Sequence, residues 1–117
     1  MEDKKSEFAN YVVDLLQVIG PISSKRMFGG YGLFLDSLMF ALIAENTLYL
    51  KADDVSKNNF IENGLGPFGY SKNGKRYDMS YYQAPEEVFE SMESMREWGN
   101  IAYECALRAA SKKSKSK

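Results

Sequence analysis

Residues 25–52 read KRMFGGYGLFLDSLMFALIAENTLYLKA, and the fold follows from this stretch. It is rich in aromatic and unbranched or γ-branched apolar residues, and short polar pairs interrupt it. Asp36-Ser37 and Glu45-Asn46 separate apolar runs by two residues each, the spacing of tight hairpins. Neither pair contains glycine, so the sequence leaves their turn types open. An antiparallel meander of three or four strands is expected here.

Working outward, residues 6–19 carry Phe8, Val12, Leu15, Leu16 and Ile19 at helical spacing, and Gly20-Pro21 stops the helix. Downstream, a short helix is expected over residues 54–63, with Asp53 or Asp54 as its cap and Gly64 as its stop. A second hairpin, PFGYSK and KRYDMSYYQA, turns at Asn73-Gly74, the strongest short hairpin signal. Pro85 suits the first turn of another helix, with Glu86 and Glu87 favourable to its dipole. The last helix is expected to start near Ser94, where Ser94 and Glu97 fit a capping box. Its apolar stripe is Trp98, Ile101, Ala102, Cys105 and Ala109, with Tyr103 and Leu107 on the other side. The element order predicts an α+β fold of two layers. Its antiparallel sheet has five to six strands, with helices mainly on one face.

Composition agrees. The chain has 117 residues, 44% hydrophobic and 26% charged, which are ordinary globular values for one domain. No apolar run reaches the roughly 18 residues of a membrane span, and the N-terminus lacks a signal peptide's apolar centre. A single cysteine rules out an internal disulfide, and a cytoplasmic location is expected. Four of the 15 basic residues, Lys112, Lys113, Lys115 and Lys117, crowd the C-terminus, which leaves 11 against 16 acidic residues. Residues 1–110 are therefore expected to form one domain and residues 111–117 a disordered Lys/Ser-rich tail.

The chain has no histidine, which excludes Ser-His-Asp and Cys-His catalysis and any His-ligated metal. Cys105 falls on an apolar stripe and is expected as a small buried hydrophobe. The carboxylates Asp36, Glu45, Asp53, Asp54, Glu62 and Asp78 fall mostly at turns and helix ends, where capping accounts for them. Gly29, Gly30 and Gly32 suggest a phosphate loop, but Leu33-Phe34-Leu35 reads as a strand where such a loop needs a helix. A bulge or tight strand-to-strand turn is expected instead. Lys72, Lys75 and Arg76 interleave with Tyr70, Tyr77, Tyr81 and Tyr82, which half-buried strand tyrosines explain and which a nucleic-acid stacking surface would also use.

Several of these runs together resemble a known family. They are Arg26-Met27-Phe28-Gly29-Gly30-Tyr31-Gly32-Leu33-Phe34, Met39-Phe40-Ala41-Leu42-Ile43 and Leu48-Tyr49-Leu50-Lys51-Ala52-Asp53. Pro67-Phe68-Gly69-Tyr70 follows, then Met79-Ser80-Tyr81-Tyr82 before Pro85. Over nearly the whole chain the sequence resembles the N-terminal domain of the TfoX/Sxy family of bacterial competence regulators. The resemblance implies a two-layer α+β fold similar to type III secretion chaperones. Full-length members promote expression of DNA-uptake genes alongside a cyclic-AMP-responsive activator and carry a second, helical C-terminal domain. This chain ends at Lys117, so a stand-alone N-terminal domain is expected. The resemblance carries over no catalytic residue and no cofactor.

The expected function is a non-enzymatic protein-interaction module of the transcriptional and competence-regulator type. The alternative is a small nucleic-acid-binding protein using the basic tail and the Tyr/Lys hairpin. A third reading is a ligand-binding or enzymatic domain built on carboxylates. A two-fold homodimer is also expected. Alternation sends Met39, Ala41 and Ile43 to one face of the sheet and Phe40, Leu42 and Ala44 to the other, and the helices cover only one. Phe34, Phe40 and Leu42 are the candidate self-association residues.

Overall fold

The computed structural model describes residues 4–27 and 29–115, with side chains over 7–27 and 29–112. Phe28 and the last two lysine-tail residues lie outside the described set. The chain runs α1 (Lys4–Leu16), β1 (Ser23–Met27), β2 (Gly30–Leu35), β3 (Leu38–Ala44), β4 (Thr47–Lys51), α2 (Lys57–Ile61), β5 (Pro67–Lys72), β6 (Lys75–Gln83), a 3-10 helix (Glu86–Phe89) and α3 (Met92–Lys115). All six strands join one antiparallel sheet in the order β1-β2-β3-β4-β6-β5. Residues 25–52 supply nearly all of a four-strand meander, as their texture predicts.

Three of its hairpins close with two residues at positive φ: Asp36 and Ser37, Glu45 and Asn46, Asn73 and Gly74. These are type I′ turns, whose twist matches the flanking strands. Asp36 and Asn46 tolerate positive φ better than most residues, which helps two of these turns form without glycine. Gly29 turns β1 into β2, at a φ of 74°, so the glycine run is a strand-to-strand turn followed by a strand.

One face of the sheet carries the core. Directly opposed residues share a face, and the pairs Leu33↔Ala41, Ala41↔Leu50 and Ile43↔Leu48 line up under the helices. Ala9, Val12 and Leu16 of α1 and Met95, Trp98, Ala102 and Ala106 of α3 close over them. α1 and α3 approach each other at Gly99, where a Cβ would stand 3.2 Å from Leu16 Cδ2. α2 adds Phe60, whose ring meets Trp98 edge-on with centroids 5.0 Å apart.

Several local expectations shift. α1 ends at Leu16, and the Gln17 side chain then receives the Ile22 N–H at 3.3 Å. α2 covers only residues 57–61, because Asp53 first builds a turn, accepting from the Val55 and Ser56 amides at 3.0 and 3.1 Å. The segment after Pro85 is a single 3-10 turn. α3 starts at Met92, two residues early, because the Ser91 hydroxyl accepts the Ser94 N–H at 3.2 Å and so displaces the Ser94 capping box. On α3 the stripe includes Ala106 in place of Ala109, and Tyr103 packs towards the sheet. The helix continues through Lys115, so the segment expected as a tail begins in helical backbone.

Candidate interaction surface

The opposite face of the sheet has no helix over it among the described residues. Its central row runs Lys25, Gly32, Leu42, Tyr49 and Gln83, one residue from each of β1, β2, β3, β4 and β6. Around that row stand Met27, Phe34, Met39 and Phe68, all half-buried. Phe34 lies directly opposite Met39. The Phe68 ring meets Tyr49 edge-on, centroids 5.0 Å apart, and so carries the surface across to β5. At the centre Gly32 leaves room for the two thioethers. A Cβ there would stand 2.9 Å from the Met27 Cε and Sδ atoms and 3.1 Å from the Met39 Cε. A face of methionine and aromatic side chains is adaptable and strongly hydrophobic, the composition of protein-contact surfaces.

A bulge decides what reaches this face. The pairing of β2 with β3 slips between Leu33↔Ala41 and Phe34↔Met39, so Phe40 is the extra residue of β3. Simple alternation would put Phe40 beside Leu42. Instead Phe40 turns under α3, fully buried, its ring edge-on to Tyr103 with centroids 6.1 Å apart. Of the three residues expected at a self-association contact, Phe34 is partly exposed on the open face. Leu42 sits on that face but is 4% exposed, and Phe40 belongs to the core.

The motif residues spread along the strands. Arg26 is exposed on edge strand β1, and Gly30, Tyr31 and Gly32 form the start of β2. Gly30 is needed for close approach, since a Cβ would fall 1.9 Å from the Ile43 carbonyl oxygen. Pro67 pairs with Tyr82, whose ring packs on Phe60. Tyr81 is buried opposite Lys51, whose ammonium stands 5.0 Å from its ring centroid, and burial pushes its hydroxyl up to about 12. The Ser80 carbonyl accepts the Ala52 N–H at 2.9 Å, and Met79 and Tyr70 extend the open face onto the outer hairpin. Phe28 lies outside the described residues.

The carboxylates are dispersed into separate pairs. Asp53 takes the Arg108 guanidinium with both oxygens, at 2.8 and 3.0 Å, tying the α2 turn to α3. That bond holds its carboxyl well below the usual carboxylate range. Cys105 is buried beneath this pair, and burial raises its thiol to about 11, the behaviour of an inert core cysteine. Asp36 accepts from the Tyr103 hydroxyl at 3.3 Å, Asp54 pairs with Lys57 at 3.0 Å, and Asp78 pairs with Arg76 at 2.8 Å. Sequence spacing offers Asp53 or Asp54 as the cap of α2, whereas the N-cap is Ser56 and Asp53 sits in the turn before it. The clamp on Arg108 is not legible in that spacing, because 55 residues separate the partners.

Comparison with known proteins identifies the family. The profile of the family described as TfoX N-terminal domain matches residues 14–106. Protein Sxy of Escherichia coli (strain K12) is 24% identical over 98 residues, which cover 84% of this chain and 47% of that protein. DNA transformation protein TfoX of Haemophilus influenzae is 34% identical over 90 residues, covering 74% and 42% respectively. DNA transformation protein TfoX1 of Aliivibrio fischeri is 29% identical over 86 residues, covering 74% and 39%. The chain spans less than half the length of these curated relatives. On the breadth of the profile match, this chain belongs to the TfoX N-terminal domain family.

Proposed function

We propose that this chain is a non-enzymatic protein-interaction module of the transcriptional and competence-regulator type, acting in the cytoplasm and contacting protein through its open sheet face. The observation that carries this reading is the continuous surface of Met27, Phe34, Met39, Tyr49 and Phe68, which draws on five of the six strands and has no helix over it among the described residues. Contiguous apolar surface of this kind marks contact sites in soluble proteins. The names of two relatives tie them to DNA transformation, and that role is carried over here as part of the proposal. A two-fold dimer is the simplest first occupant, since a self-complementary patch closes on itself.

Affinity capture from the native cell, followed by mass spectrometry, tests the reading. The wild-type chain should retain a protein partner that the double variant Phe34→Glu, Tyr49→Glu loses, while both chains remain folded and unfold cooperatively. An identical set of captured proteins from the two chains would contradict it.

A further inference from the structure

We propose that the outer hairpin, β5 with β6, is a contact site for single-stranded nucleic acid that adjoins the protein-contact surface of the central sheet at Phe68. Residues 70–78 are all exposed, so the distal half of this hairpin stands as a two-stranded arm beyond the packed layers. Its two faces differ sharply. On one, Arg76 and Asp78 pair with each other across Gly69, where a Cβ would meet both side chains. That face is self-neutralised.

The other face is not. Lys72 lies directly opposite Lys75, and Tyr70 directly opposite Tyr77. Like charges placed directly across a strand pair weaken it. Neither ammonium has an ion-pair partner among the described residues. The two tyrosine rings stack at 5.6 Å between centroids and 25° between planes, 47% and 44% exposed. Behind them Phe68, Tyr70, Lys72 and Met79 wall an open cleft of about 260 Å³, larger than a nucleobase and lined mainly by ring and thioether surface.

Uncompensated cations beside open aromatic faces match a polynucleotide whose phosphates meet the lysines and whose bases stack on the rings. A duplex fits less well, because its bases are already stacked on one another and cannot cover the tyrosines. An acidic peptide would satisfy the lysines but leave the rings and the cleft unused. Lysine donors and ring faces do not read the sugar, so DNA and RNA strands should bind alike.

Fluorescence anisotropy with a fluorescein-labelled mixed-sequence 15-mer tests this, using the full chain. Two neutralised phosphates predict that affinity falls about sevenfold between 50 and 200 mM salt, from a slope of about −0.7 per phosphate. Tyr70→Leu with Tyr77→Leu should weaken binding at least fivefold, roughly the lower bound for one lost base stack, while the corresponding Phe pair retains it. Lys72→Gln with Lys75→Gln should flatten the salt dependence, and Arg76→Gln on the reverse face should leave it within about twofold. The matching RNA strand should bind within about threefold, since nothing on this face is aimed at a 2′-hydroxyl. The proposal is overturned if no binding appears at 50 mM salt with the protein at about 100 µM, a concentration that detects even non-specific contacts. It is equally overturned if the Tyr and Lys variants bind like wild type, which would transfer the binding to the lysine-rich C-terminus, or if duplex binds as tightly as single strand.

Discussion

The two faces of this sheet are built from the same strands, yet they use different residues. Under the helices stand Leu33, Ala41, Ile43, Leu48 and Leu50, aliphatic side chains exposed by 3% or less. On the reverse stand Met27, Phe34, Met39, Tyr49 and Phe68, all partly exposed. Branched aliphatic side chains have few rotamers and fill a fixed core, whereas unbranched thioethers and flat rings suit a surface that must mould to something else. Hydrophobicity alone would not separate the two faces. Apart from Leu42 on the open face and Phe40 in the core, the choice of hydrophobe does.

Replacing one ring on each face sharpens the contrast most. Phe40→Ala should cost about 3–5 kcal/mol, because it empties a fully buried site beneath Tyr103. Phe34→Ala, on the open face, should cost less, about 1–2 kcal/mol, since part of the ring stays in solvent and its loss leaves no closed cavity. Chemical denaturation of the two variants measures this. Equal losses would break the distinction between the faces.

The two neighbouring glycines of β2 test it next. Gly30→Ala drives a methyl against the Ile43 backbone carbonyl and should cost about 2–3 kcal/mol, lowering the melting temperature by about 10 °C. Gly32→Ala meets only the mobile tips of Met27 and Met39 and should cost less than about 1 kcal/mol. If Gly32→Ala proved the more damaging, the thioether layer would be rigid, and the case for an adaptable face would fail.

The Asp53 clamp lies away from both faces and should have a smaller effect. Its folded-state carboxyl is held below the usual range by Arg108, so its stabilisation is present above the unfolded value near pH 4 and fades as pH falls below it. Both partners are about a third exposed, which limits the contribution to about 1 kcal/mol. Asp53→Asn should therefore melt about 4 °C lower than wild type at neutral pH, with the gap closing as pH drops below about 4. A gap independent of pH would assign the effect to the turn and not to the ion pair.

Much of this was legible in the sequence. Strand texture over residues 25–52, the Asn73-Gly74 turn and the helical spacing of Val12 and Leu16 gave the two-layer α+β architecture, because local patterning and tertiary burial agree there. Three things were not. The bulge at Phe40 is an offset between two strands, and neither strand encodes it alone. The type I′ turns at Asp36-Ser37 and Glu45-Asn46 lack the usual glycine, and Ser37 and Glu45 take positive φ without a residue preference that would have marked it. The Asp53–Arg108 clamp depends on how α3 crosses the sheet. As for the candidate site, sequence reasoning reached Phe34 and Leu42. It missed Met27, Met39 and Tyr49 as one surface, because their common face emerges only from the registers of four strands.

Sedimentation equilibrium on the wild-type chain and on Phe34→Glu, over concentrations up to about 100 µM, tests most directly whether the open face is a contact surface; that ceiling lies far above the dissociation constant of a standard-sized interface. The account predicts a dimer mass for wild type at the upper concentrations and a monomer mass for the variant, with the variant still unfolding in one cooperative transition. A wild-type monomer throughout, or a dimer that the charge at Phe34 leaves intact, would contradict it.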